Sequence, residues 1–103
     1  MFRLYATPDG ESHFEDIDSV PLGVSQVTFS SMVPGRFVDW HNERRRQLVV
    51  TLSGESDITA SDGQVRRTRP GTVMLAEDLT GKGHQTRVVG DQGCSWMFVV
   101  LAG

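Results

Sequence analysis

The segment Gly35-Arg36-Phe37-Val38-Asp39-Trp40-His41-Asn42-Glu43-Arg44-Arg45-Arg46-Gln47-Leu48-Val49-Val50-Thr51-Leu52-Ser53-Gly54 decides how this chain is read. Its second half, Gln47 to Leu52, is a near-continuous apolar run of strand length, the pattern of a strand covered on both faces. Its first half mixes aromatic, polar and charged residues and ends in three consecutive arginines. With one strand reaching about residue 43, a second starting about residue 47 and the arginines as the turn between them, His41 and Glu43 share a face, because side chains alternate along a strand. Gln47, opposite residue 43 in such a pair, joins them. Buried polar groups need partners. The three side chains therefore enclose a metal ion or a ligand, or they close a hydrogen-bond network among themselves. Glu43 has a competing reading as half of an exposed ion pair with a neighbouring arginine, which would contribute little. The arginines read as a solvated turn.

Outward from this segment the same texture continues. Val24 to Phe29 alternates; Asp57 to Ser61 is polar with Ile58 and Ala60 on one side; Thr72 to Ala76, Gln85 to Val89 and Ser95 to Leu101 follow. Turn signals separate them: Asp9-Gly10, Ser53-Gly54, Asp62-Gly63, Pro70-Gly71 and Gly81-Lys82-Gly83. Asp62-Gly63 is the strongest, since Asp-Gly supplies the two positive φ angles of a tight two-residue hairpin. No stretch carries a long 3.6-residue apolar period with caps. Short strands at near-regular spacing predict an all-β sandwich or barrel, with residues 1–103 as one domain.

Composition narrows the function classes. The chain has 103 residues, ten Lys+Arg and thirteen Asp+Glu, for a formal charge of −3. Nothing in that balance would neutralise a phosphate backbone, so a nucleic-acid partner is not expected. The longest apolar run, Met97 to Ala102, is far too short to span a bilayer, and the stretch from Met1 to Pro8 does not read as a secretory signal. One cysteine, Cys94, permits no intrachain disulfide. The expectation is a cytoplasmic protein in a reducing compartment.

The spacing of Gly35, His41, Glu43, Gln47 and Gly54, followed by Pro70-Gly71 and then His84, resembles the two motifs of small single-domain cupins of the RmlC-like kind. The resemblance covers roughly residues 30–100. It implies a double-stranded β-helix, or jelly-roll, barrel. It also implies a divalent metal (Fe, Mn, Zn or Ni) held by His41, Glu43, Gln47 and His84. Glu43 stands where the family has its second histidine, and Gln47 where it has its glutamate. Two histidines and one carboxylate are still a legitimate donor set; Gln47 would be a weak fourth ligand or a donor behind the ligands. The resemblance implies a small polar metabolite, bound and in the enzyme alternative converted. The other alternative is a metal-free binding or sensory module in which Gln47, His41 and Trp40 shape a pocket for an organic ligand.

Several residues fall outside the motif. Glu77-Asp78-Leu79-Thr80-Gly81-Lys82-Gly83 reads either as a plain turn or as a loop at the barrel mouth presenting Glu77, Asp78 or Lys82 to a substrate. Glu77 or Asp78 is then the proton-shuttling group. His13 reads as a surface residue or one near the mouth. Trp40 and Trp96 read as core or pocket wall, and Cys94 as structural. On the last strand Met97, Val99 and Leu101 alternate with Trp96, Phe98 and Val100, so both faces are apolar. One face fills the barrel. The other needs a cover from Phe2 to Tyr5 or, as expected for so small a core, from a second copy in a homodimer.

Overall fold

The computed structural model describes residues 1–20 and 23–102, and no helix occurs among them. Ten strands follow in order: β1 (Phe2–Ala6), β2 (Ser12–Asp16), β3 (Val24–Met32), β4 (Phe37–His41), β5 (Gln47–Ser53), β6 (Glu55–Ala60), β7 (Val65–Thr68), β8 (Val73–Glu77), β9 (His84–Val89) and β10 (Cys94–Leu101). Six form one sheet in the order β2-β1-β8-β5-β10-β3, and four form a second in the order β4-β9-β6-β7. Every pairing is antiparallel except β1 with β8. The chain is all-β, as the strand and turn pattern predicts, and none of its described segments is a helix long and apolar enough to cross a membrane.

Alternation builds the interior. On β6, Ser56, Ile58 and Ala60 are buried while Glu55, Asp57 and Thr59 are only partly so. The main core takes Phe2, Leu4, Val49, Met74, Ala76, Cys94 and Trp96 from the larger sheet and Ile58, Ala60 and Val88 from the smaller. Burial of such aliphatic and aromatic side chains, worth about 1.5–3 kcal/mol each, holds the two sheets face to face. β5 is covered on both sides, as its unbroken apolar run implies: Val49 faces the main core, and Leu48 joins Leu75 and Leu101 in a smaller cluster behind it.

Three expectations are corrected. Phe2 and Leu4 enter the main core, because β1 is built into the sheet between β2 and β8; the outer cluster is covered instead by Ile17 and Val20. The three arginines do not turn a hairpin. β4 finds its partner, β9, in the smaller sheet, β5 finds both of its own in the larger, and residues 42–46 cross between sheets. Asp62-Gly63 does close the β6–β7 hairpin, but only Gly63 has a positive φ (92°). Gly63 N–H donates to the Ala60 carbonyl at 3.0 Å, and Ala60 N–H donates to the Gln64 carbonyl at 2.9 Å. That is a three-residue loop with glycine in the left-handed position, and Asp62 Oδ1 accepts from Gln64 N–H at 2.9 Å.

Candidate functional site

β4 and β9 carry the site between them, and an irregularity in β4 creates it. Val38 lies opposite Thr86 and His41 opposite His84, so three steps along β4 match two along β9. The extra residue is a β-bulge, a device that re-aims side chains. An unbroken strand would set Trp40 across from His84. With the bulge, His41 takes that place, and Trp40 turns outward, 47 % exposed. Trp40 thus joins neither the core nor the barrel interior, whereas Trp96 is buried. Asp39 pins the bulge: its carboxylate accepts from Trp40 N–H at 2.9 Å and from the Gln85 amide at 2.8 Å. Those two hydrogen bonds, Gln85 first, hold the carboxyl below its ordinary range.

The two imidazoles lie against each other, with ring centroids 4.2 Å apart. Gly83 lets them approach. It has φ +78°, and a Cβ there would sit 2.1 Å from the His41 carbonyl oxygen; only glycine passes β9 that close to the end of β4. Glu43 completes the group. Its side chain is 15 % exposed and its Oε1 is 3.6 Å from His84 Nε2. The ligand atoms of His41, Glu43 and His84 all lie within 4.8 Å of one another. Glu43 is therefore not half of a solvated ion pair. Burial pushes its carboxyl up, against the pull of His84 and His41 and with a further push from Asp78.

Hydrogen bonds behind the two rings engage one nitrogen of each. His41 Nδ1 donates to the Asp39 carbonyl at 2.8 Å, and a carbonyl can only accept. His84 Nδ1 donates to Asp78 Oδ2 at 2.5 Å. In each ring Nδ1 is taken and Nε2 is the nitrogen left for a ligand, the arrangement a metal-binding histidine adopts. Gln47 donates its amide to Glu43 Oε2 at 2.7 Å, leaving Oε1 toward His84. Gln47 thus meets Glu43 across the sheet crossing rather than across a hairpin.

The loop before His84 is tied down from several sides. Asp78 is completely buried beneath His84, and its Oδ1 is buried without a hydrogen-bond partner. The Asn42 amide donates to the carbonyls of Asp78, Thr80 and Gly81 at 3.0–3.2 Å. Lys82 pairs with Glu11 at the surface. Glu77 is not brought to the site. It alternates with inward-facing Ala76, and on the outer face it pairs with Arg3 and Arg46. His13 is satisfied elsewhere, between Thr7 Oγ1 at 3.1 Å and Asp62 Oδ2 at 3.0 Å. The Cys94 thiol donates to the Glu55 carbonyl at 2.9 Å, and burial raises its pKa, as suits a structural cysteine. Asn42 and the bulge residue Asp39 were not legible as site residues: a clamp and a bulge exist only in the pairing of segments distant in sequence.

The histidines and Glu43 open into a pocket with about 410 Å³ of empty space, part of it continuous with solvent. Thr86 and the apolar side chains of Met32, Val49, Ile58, Met74, Trp96 and Phe98 line the rest. This is the interior of the barrel.

No sequence-family profile matches the chain, and no curated protein does. Solved structures do. A Cupin 2 conserved barrel domain protein from Salinispora arenicola superposes with a TM-score of 0.60 at 18% identity, over 75% of this chain and 62% of that one. A cupin domain from Bordetella pertussis gives 0.58 at 18% identity over 84% and 88%. A cupin superfamily protein from Desulfitobacterium hafniense gives 0.56 at 20% identity over 82% and 84%. The chain spans less than two thirds of the length of the Salinispora protein. With the two sheets, their strand order and these superpositions together, the chain has the double-stranded β-helix fold of the cupins.

Proposed function

We propose that this protein binds a divalent metal ion through His41, Glu43 and His84 and presents it to a small molecule inside the barrel. The observation that carries the reading is the pair of imidazoles whose Nδ1 atoms are both engaged by protein acceptors, beside a carboxylate held within 4.8 Å of both. Two nitrogens and one carboxylate oxygen suit Fe, Mn, Zn or Ni and leave coordination positions for a ligand. An ion held there would supply Lewis acidity toward an oxygen of the bound molecule. His41 and His84 would ligate through Nε2 and Glu43 through Oε1. Gln47 orients Glu43 by donating to its other oxygen. Asp78 holds the proton on His84 Nδ1 and, through it, the direction of Nε2. Fold does not choose between conversion and plain binding. The metal-free binding module keeps one observation in its favour: the Glu43–His84 and Glu43–Gln47 contacts are already paired within the protein.

The deciding experiment is calorimetric titration of Zn²⁺ and Mn²⁺ into protein prepared without an affinity tag or chelator. About one ion per chain is expected, with binding abolished in the His41→Ala/His84→Ala double variant. Equal uptake by both proteins would overturn the assignment. We also propose a cytoplasmic setting, supported by a lone buried thiol, and a homodimer formed through β3, whose Val27 and Phe29 are exposed on the strand that ends the larger sheet.

A further inference from the structure

The pocket has two chemically distinct poles, and the contrast between them bears on what it accepts. At one end stand His41, Glu43 and His84. The remaining wall is Met32, Val49, Ile58, Met74, Trp96 and Phe98, with the Thr86 hydroxyl as its one polar side chain. Among the described residues, no lysine or arginine lines the cavity. Six of the ten lysines and arginines pair with carboxylates outside it: Arg3 and Arg46 with Glu77, Arg66 with Asp16, Arg67 with Asp57, Arg69 with Glu55 and Lys82 with Glu11.

An anionic ligand drawn into such a cavity loses its hydration and must recover the cost from a positive partner. Sites built for carboxylates supply an arginine fork. The acidic side chains at the histidine end are Glu43, which lines the pocket, and Asp78, buried against His84. An ion held there would already face the Glu43 carboxyl, with that of Asp78 behind His84, and a ligand carboxylate would crowd a further acidic group onto the same end. An apolar body, by contrast, gains from contact with every one of the six apolar walls.

We propose that this site takes a small uncharged molecule with an apolar body and an oxygen-bearing head, and discriminates against carboxylates such as sugar acids and dicarboxylates. The head rests on the metal reading given above; the body rests on the apolar wall alone.

Benzamide and benzoate are matched probes, alike in shape and atom count and differing in charge. Trp40 points away from the pocket, so the Trp40→Phe variant leaves Trp96, in the pocket wall, as the one tryptophan. Both probes are titrated into this variant, metal-free and after Zn²⁺ loading, with Zn²⁺ uptake measured on the same samples. Saturable benzamide binding at least tenfold tighter than benzoate is expected in both forms. Benzoate binding as tightly as benzamide, in either form, overturns the proposal, as does a lack of benzamide binding at millimolar concentration. Failure of Zn²⁺ to bind while benzamide keeps its preference removes the metal reading and leaves the ligand class standing. Zn²⁺ uptake with a preference for benzoate does the reverse.

Discussion

At the scale of single residues, Gly83 and Gly63 separate two reasons for using glycine. Both have positive φ, but a Cβ on Gly63 would meet nothing within 4 Å, whereas one on Gly83 would strike the His41 carbonyl. Gly63→Ala should cost only the left-handed strain of a non-glycine residue, about 1 kcal/mol. Gly83→Ala must also push β4 and β9 apart, so a loss of about 2 kcal/mol or more is expected in denaturant unfolding, together with weaker Zn²⁺ uptake. Equal losses from both substitutions would show that close approach does not position the histidines. The sequence singles out His41, Glu43 and His84 by spacing, and the fold does bring them together. What it conceals is burial. Asp78 and Glu77 are adjacent acids in one loop-edge segment, yet one lies fully buried against His84 and the other faces outward between two arginines. Only the alternation of β8, continued one residue past its end, separates them.

At the scale of elements, strands with a clear period were legible and short charged ones were not. β5, β6, β8, β9 and β10 fall within about two residues of the segments read from alternation and turn chemistry. β7, Val65-Arg66-Arg67-Thr68, carries no apolar row and is a strand because β6 offers it partners. One of those partnerships is electrostatic. Asp57 lies directly opposite Arg67, and the guanidinium donates to both carboxylate oxygens at 2.8 and 2.9 Å. The Arg67 hydrogen bonds hold the Asp57 carboxyl below its ordinary range. A depressed acid contributes stability above its unfolded-state value, and that contribution is lost as pH falls through the folded value. The pair is partly exposed, so Arg67→Met should lower the melting temperature near neutral pH by only a little, on the order of 2 °C. The gap should close at pH values below the depressed carboxyl. A gap unchanged in acid would assign the loss to packing of the arginine stem instead. The bulge in β4 was illegible for a related reason: an extra residue is defined only against the partner strand, whereas Trp40 was read as buried from the size of its ring alone.

At the scale of the whole molecule, β3 leaves the larger sheet unfinished. It runs nine residues, pairs only with β10, and exposes Val27 and Phe29, the latter 69 % accessible. Long apolar edges invite pairing with another chain. Two copies joined through β3 would continue the sheet and cover that row. Light scattering should give twice the chain mass, and Phe29→Lys should return it to one; a single-chain mass at every concentration in the unaltered protein would refute the dimer. The opposite flank of the sheet has a consequence in time rather than in space. Phe2 sits beside Met74 and Leu4 beside Ala76 through the parallel β1–β8 pair, so the beginning of the chain locks only after β8 is in place. Until then β1 has β2 alone, and an isolated hairpin is marginal in water. Folds dominated by such distant pairings refold over milliseconds to seconds. Through that interval two side chains destined for the core stay wet on a ribbon that waits for its neighbour, so the closing of β1 on β8 is expected to set the pace at which the barrel, and the pocket inside it, comes into being.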